Sequence, residues 1–191
     1  MSNISNGAKT IIDNPTKFYR DKHNHIPPWI LFKNINFSSI IDLYSFFKSK
    51  DKHDIIQDYF PHNSGGDDAA KLLKDMLSIV RDFRNKIAHN LKFISHKSRF
   101  TLNIRMLRNV SSNVTITKLN FSKNVGENDI LAFILSLVTL LDNEHLVKMM
   151  ITEILFLFDR EASMADKYIK ATNIPEAIRE LLKNIINDSS S

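Results

Sequence analysis

Cysteine is absent from this chain of 191 residues, which excludes disulfide bonds, thiolate metal sites and a cysteine nucleophile. The absence suits a reducing compartment, and the N-terminus lacks the apolar run of a secretion signal, so we expect a soluble, cytoplasmic protein. Glycine and proline are scarce, at 4 and 5 residues. This scarcity disfavours an all-β fold rich in tight turns and favours helices.

Long apolar runs are also missing. The longest, Ile130 to Leu141, is interrupted by Ser136 and Thr139, and it is shorter than the ~20 residues that a membrane-spanning helix needs. We therefore expect no membrane partner. The apolar fraction of 43% and the charged fraction of 25% are typical of a globular protein long enough to bury a core.

Acidic residues are missing from one segment, between Leu91 and Val125. This segment contains no Asp or Glu, and its basic residues are Lys92, Lys97, Arg99, Arg105, Arg108, Lys118 and Lys123. A local excess of positive charge is the kind of surface that a polyanion such as RNA selects. A solvated, lysine-rich loop without a partner would have the same composition, and charge alone leaves both interpretations open.

The chain is rich in helical periodicity. The longest helix is predicted after Asp67 and Asp68, which supply a cap and a favourable negative charge at its N-terminus. Its apolar residues recur at three- and four-residue spacing: Ala69, Leu72, Leu73, Met76, Leu77, Val80, Phe83 and Ile87. Three further helices are predicted before it: one after Pro27-Pro28, one capped by Ser38 and one over KHDIIQDYF. Three more are predicted after it: a buried central helix capped by Asn128, one over Glu144 to Phe158, and one that opens at Asn173 and Pro175.

The period changes near residues 99–121. Apolar residues from Phe100 to Met106 alternate with polar ones, an Asn/Ser-rich cluster follows, and VTITKLNF is rich in β-branched residues. We therefore predict an all-α bundle of about five main helices with an inserted β-hairpin near 99–121. Residues 1–25 are predicted to be a loosely ordered arm, and residues 26–188 the helical domain.

The long helix ends in RDFRNKIAHN, residues 81–90. Because each residue turns a helix by about 100°, Asn85 and His89 lie about 40° apart on one face, which Asp82 shares and Arg84 can reach. An imidazole can transfer protons and a guanidinium can bind a phosphate, so the group fits RNA cleavage by the RNA's own 2′-hydroxyl. The alternative is that Arg84 pairs with a carboxylate and His89 is only a cation at a helix C-terminus.

The stretch from Arg84 to His89 resembles the R-N-x-x-x-H motif of the HEPN superfamily of helical-bundle ribonucleases. The wider chain, over about residues 15–188, is similar to the Abi-like family of bacterial abortive-infection proteins. The stretches that carry this similarity are PPWILF from Pro27, NFSSIIDLY from Asn36, FRNKIAHN from Phe83 and NIPEAI from Asn173. The segment 91–125 departs from the family pattern.

The resemblance implies a HEPN-like bundle that forms a homodimer, joins two R-x-x-x-x-H motifs in one cleft and cuts RNA without a metal or cofactor. Arg84 and His89 would then be the catalytic pair, and Asn85 would help to hold the site. An antitoxin or a regulatory RNA is a further candidate partner. The predicted RNA-binding residues are Lys92, Lys97, Arg99, Arg105 and Arg108. The alternative function is a non-catalytic RNA-binding or interaction module within a larger assembly.

Overall fold

The computed structural model describes residues 15–60, 66–93, 95–121, 124–141, 143–172 and 178–188. Residues 1–14 of the predicted N-terminal arm lie outside these ranges. The described ranges contain eleven helices and no strand: α1 (Pro15–His23), α2 (Pro28–Asn34), α3 (Phe37–Phe46), α4 (Ser49–Tyr59), α5 (Gly66–Ala88), α6 (Ile104–Val110), α7 (Val114–Thr117), α8 (Ile130–Leu140), α9 (Glu144–Arg160), α10 (Ala162–Thr172) and α11 (Ile178–Asp188).

The chain divides into two compact units, Met1–Leu43 and Tyr44–Ser191. The first contains α1, α2 and most of α3. The side chain of Asn34 at the end of α2 donates to Thr16 Oγ1 in α1 at 2.8 Å, which ties these two helices together.

The second unit has its core around α5 and α8. The predicted apolar stripe of α5 is confirmed at Leu72, Met76 and Phe83, which are buried, whereas Ile87 is 46% exposed. The prediction of a buried central helix is confirmed by α8, whose Phe133 stacks on Phe83 with 4.9 Å between the ring centroids. The stacked rings join the end of α5, where the candidate site residues lie, to the interior.

The side chain of Asp129 caps α8, so the prediction of Asn128 as the cap is wrong by one residue. Its Oδ1 accepts from the backbone N–H of Ala132 at 3.1 Å, and its Oδ2 accepts from the N–H of Gly126 at 3.0 Å. The aspartate is buried, and both of its oxygens are used. Its carboxylate therefore fixes the loop that precedes the helix as well as the helix end.

The predicted β-hairpin near residues 99–121 is wrong, because this part of the described chain forms α6 and α7. The side chain of Asn103 accepts from the backbone N–H of Met106 at 3.0 Å, and that of Asn113 accepts from the N–H of Ile116 at 3.1 Å. Each asparagine is a helix N-cap. The polar cluster that indicates a turn in the sequence is thus the boundary between two short helices.

The C-terminal part of the second unit is formed by α9, α10 and α11. The predicted inward face of the last helix is confirmed, since Ile178, Leu182 and Ile185 are buried. The residues predicted to open this helix, Asn173 and Pro175, lie outside the described residues. Helix α10 was not predicted. No helix in the described part of the chain is long and apolar enough to cross a membrane.

Candidate functional site

The site begins where α5 ends. The backbone N–H of Leu91 donates to the carbonyl of Lys86 at 2.9 Å, and that of Asn90 donates to the carbonyl of Ile87 at 3.0 Å. Asn90 has a φ of 50°, a left-handed conformation that asparagine tolerates better than most residues. These bonds form a Schellman motif, which ends the helix and starts the chain on a new course. The residues that follow, 91–93 and 95–100, are called the return segment below.

The return segment is bound to the side of α5. Ser98 is buried, and its Oγ donates to Asp82 Oδ2 at 2.9 Å, while its backbone N–H donates to the carbonyl of Asn128 at 2.7 Å. The guanidinium of Arg81 lies 5.3 Å from the centre of the Phe100 ring. Because Asp82 precedes Ser98 by more than four helical turns of sequence, these contacts show that the chain folds back along the last turns of α5.

An open groove of about 370 Å³ lies between α5 and the return segment. We call it the α5 groove. The described residues that line it are Asp82, Asn85, Lys86, His89, Leu91, His96 and Arg99. The fold therefore brings together three of the predicted site residues, Asn85, His89 and Arg99.

Arg84 does not line the groove but is bonded to a residue that does. Its Nη1 donates to Asn85 Oδ1 at 3.0 Å, and its side chain is exposed. Arg84 forms an ion pair with none of the carboxylates in the described ranges, so the alternative in which it is held by a carboxylate finds no partner there. Because the residue is exposed, a phosphate could accept from its guanidinium.

His89 immediately follows the last helical residue, Ala88, and its side chain is exposed at the edge of the α5 groove. Its backbone N–H donates to the carbonyl of Asn85 at 3.1 Å, which fixes the backbone of the two residues relative to each other. The position suits a proton-transfer group that meets a ligand in the groove, and it equally suits a simple helix-end cation.

The charge that the groove presents to a ligand depends on the bonds of the Asp82 carboxylate. Its carboxylate lies 3.6 Å from the guanidinium of Arg81 and accepts from Ser98, and the side chains of Arg81 and Asp82 are each only 14% exposed. Among the described groups, Lys86 and Arg99 form no ion pair. The α5 groove therefore presents cations to solvent while its acidic group is already bound, a balance that favours an anionic ligand.

The other predicted RNA-binding residues do not line the groove. Lys92, Lys97 and Arg105 are exposed. Arg108 is partly buried, and its Nη1 donates to the carbonyl of Leu119 at 3.0 Å, so its guanidinium holds the chain after α7. The described residues include no group of three or more His, Asp or Glu side chains that could hold a metal ion.

His96 is a groove residue that sequence reasoning missed. Its ring packs edge-on against Phe83, with 5.1 Å between the ring centroids, and its Nε2 is buried without a hydrogen-bond partner among the described atoms. Burial lowers the pKa of His96, the charge of Lys86 lowers it further, and Asp82 opposes them. The sequence does show a histidine within the basic segment, which could have marked it as a candidate site residue. The predicted hairpin, however, gave no reason to place this histidine beside His89.

Comparison with known proteins finds a family match for the first half of the chain. Residues 1–95 match the family model described as Abi-like protein. The match includes α5 with Arg84, Asn85 and His89, and it ends before His96, although we expected a resemblance over about residues 15–188. No curated protein and no solved structure matches the chain. The chain belongs to the Abi-like family, whose name refers to abortive infection, a form of phage defence.

Proposed function

We propose that this protein is a metal-independent endoribonuclease of a phage-defence or toxin type, working as members of the HEPN superfamily do at a dimeric R-x-x-x-x-H site. The observation that carries the proposal is the α5 groove. Asn85 and His89 line it, Arg84 is bonded to Asn85, and the one carboxylate among its described lining residues is already bound. An RNA phosphate would meet donors and cations there.

In the proposed reaction the RNA 2′-oxygen attacks the adjacent phosphorus while the bond from phosphorus to the 5′-oxygen breaks. The products are a 2′,3′-cyclic phosphate and a 5′-hydroxyl. One proton must leave the 2′-hydroxyl and one must reach the 5′-oxygen, and His89 would carry out one of these transfers. Arg84 would stabilise the negative charge that develops on the phosphate oxygens. Asn85 would hold the guanidinium in place through the bond at 3.0 Å.

The test is cleavage of RNA by purified protein in EDTA. We expect wild-type protein to cut, and we expect His89→Ala to cut about a hundred- to ten-thousand-fold more slowly, because general acid–base catalysis is worth that much. RNA affinity should stay within a few fold. His145→Ala, which changes an exposed histidine on α9, is the matched control and should cut normally. Activity that disappears in chelator and returns with magnesium would contradict the proposal.

The proposed homodimer rests on apolar side chains beside the motif. Ile87 is 46% exposed and Leu91 is 50% exposed, and a second copy packed against them about a two-fold axis would cover both and join two motifs. We expect Ile87→Glu to give a monomer with little activity in sedimentation and cleavage assays. The control is Met149→Glu, at an exposed apolar position on α9. An active wild-type monomer would refute the dimer.

A second candidate function is a non-catalytic RNA-binding or interaction module of a larger assembly. The observation that favours it is a set of large apolar side chains left exposed on α9 and α10: Leu146, Met149, Phe156, Leu157, Met164 and Tyr168. Large apolar side chains exposed on a protein surface are typical of sites that contact another protein when they form one patch. Wild-type protein that binds RNA but leaves it uncut, with His89→Ala behaving identically, would support this alternative.

A further inference from the structure

The α5 groove contains two imidazoles, which come from different elements. His89 comes from the end of α5 and His96 from the return segment, and both line the groove. The family match ends at residue 95, so His96 belongs to the part of the chain outside it. Cleavage through a 2′-hydroxyl needs two proton transfers, and the function proposed above assigns only one of them.

His96 is held in place by the core. Its ring rests on Phe83, which is fully buried and stacked on Phe133 of α8. Its backbone N–H donates to the carbonyl of Phe93 at 3.0 Å, and two residues later Ser98 fastens the segment to α5. A ring fixed on both sides in this way has a defined orientation, which a group that takes a proton from a bound substrate requires.

The surroundings of His96 favour its neutral form. Its Nε2 is buried without an acceptor among the described residues, and protonation of both nitrogens would leave a buried N–H unpaired. The charged and titratable groups that line the groove with it are Asp82 and Lys86 from α5, His89 directly after α5, and Arg99 from the return segment. Lys86 and Arg99 disfavour a further positive charge, and Asp82, which would favour one, is bound by Arg81 and Ser98.

We propose that His96 is a second catalytic residue of the α5 groove and accepts the proton of the RNA 2′-hydroxyl, while His89 donates a proton to the departing 5′-oxygen. The inference rests on the proposed ribonuclease function. In this step the bond from the 2′-oxygen to phosphorus forms and the bond from phosphorus to the 5′-oxygen breaks. His96 ends protonated and His89 neutral, and exchange with water restores both. Because Nε2 is buried in the free protein, this transfer requires RNA binding to expose that edge of the His96 ring.

The first experiment compares wild-type protein with His96→Phe, which keeps a ring against Phe83 but removes both nitrogens. We expect the rate at saturating RNA to fall by about a hundred- to ten-thousand-fold, with RNA affinity within a few fold. The cleavage rate of the wild type should fall at low pH, because His96 becomes protonated. The residual cleavage rate of His96→Phe should not show this fall. Added imidazole should restore activity to His96→Ala. His145→Phe is the matched control.

The second experiment needs no turnover. The ring signals of His96 are followed by NMR in wild-type protein, with and without an RNA that has a 2′-deoxynucleotide at the cleavage position. We expect the ring to titrate below the usual histidine pKa of about 6.5 and its signals to move when this RNA binds. A titration at or above that value, or signals that RNA leaves unchanged, would overturn the inference even if both substitutions unfold the protein.

The outcomes separate the inference from the function on which it rests. Wild-type protein that cuts RNA, together with folded His96→Phe that cuts equally fast and keeps the fall in rate at low pH, would remove His96 from the mechanism and leave the ribonuclease proposal standing. Wild-type protein that binds RNA but never cuts it would overturn both.

Discussion

At the scale of single residues, the spacing of the motif predicted its geometry in part. Asn85 and His89 were expected on one face of a helix, and they do line one groove. Helical spacing could not predict that His96 and Arg99 share this groove, because their position depends on a reversal at Asn90 and on contacts of the return segment with α5. Sequence spacing predicts which residues are neighbours on one helix. Which residues lie opposite them after a chain reversal depends on tertiary contacts.

Asn90 is the residue that makes the reversal, so its substitution should have a measurable effect on stability. Its φ of 50° disfavours residues with an ordinary β-carbon, and we expect Asn90→Ala to lower the free energy of unfolding by about 1 kcal/mol. Asn90→Gly should change it by only a few tenths of that amount, since glycine adopts this conformation without strain. Urea unfolding of the three proteins measures the difference, and equal losses in both variants would argue against a strained position.

Tyr44 gives a prediction at alkaline pH. Burial raises the pKa of Tyr44 from 10.0 to about 12, and its hydroxyl donates to the carbonyl of Ala70 at 3.2 Å. Between these pH values the unfolded chain loses the phenolic proton and the folded protein keeps it, so the free energy of unfolding falls as the pH rises. We expect this fall to be shallower in Tyr44→Phe. Identical pH dependence of urea unfolding in the two proteins would show that the ring is not protected.

At the scale of elements, the helices with a strong apolar pattern were predictable, whereas α6 and α7 were not. Helices α5 and α11 have sustained apolar periodicity, and α8 is apolar on nearly all of its faces. Helices α6 and α7 are too short for a clear period, and their sequences include β-branched residues that favour strands. Their N-termini are capped by Asn103 and Asn113, and an asparagine that caps a helix looks the same in a sequence as one in a turn.

The cap of α8 can be tested with two adjacent substitutions. Asp129→Ala removes the acceptors of the Ala132 and Gly126 N–H groups, and we expect it to lower the free energy of unfolding by about 2 kcal/mol or more. Asn128→Ala keeps the backbone carbonyl that accepts from Ser98, so it should change stability by less than about 0.5 kcal/mol. Chemical denaturation measures both, and a larger loss for Asn128→Ala would restore the original assignment of the cap.

At the scale of the whole molecule, the net charge of +5 hides an uneven distribution. Folding gives the basic residues between Leu91 and Val125 different surroundings. Arg99 lines the α5 groove, Arg108 bonds to backbone, and Lys97 and Arg105 are exposed. Composition predicted where the charge lies along the chain, but it could not say which of these side chains the structure leaves available to a ligand.

Salt dependence of RNA binding tests the role of this charge. We expect replacement of Lys97, Arg99 and Arg105 by Gln to weaken binding and to flatten the slope of log affinity against log salt concentration, because fewer counterions are released. Cleavage at saturating RNA should continue. The matched control replaces three exposed lysines of α10 and α11, Lys167, Lys170 and Lys183, which removes the same charge elsewhere. An equal change of slope in both variants would mean that only total charge matters.

The bond between Ser98 and the carbonyl of Asn128, and the stacking of Phe133 on Phe83, have a consequence for synthesis on the ribosome. The motif is complete once His89 has been added, but the wall of the groove is fastened by residues that leave the exit tunnel much later. Since chains fold as they emerge, we expect a nascent chain that ends before Asn128 to carry the motif without a formed site. The test is to stall synthesis at increasing chain lengths, release each chain from the ribosome and assay it for RNA cleavage. The shortest chain that cuts RNA gives the length at which the site is formed. The proposed ribonuclease would then leave its own messenger RNA uncut while that message is still being translated.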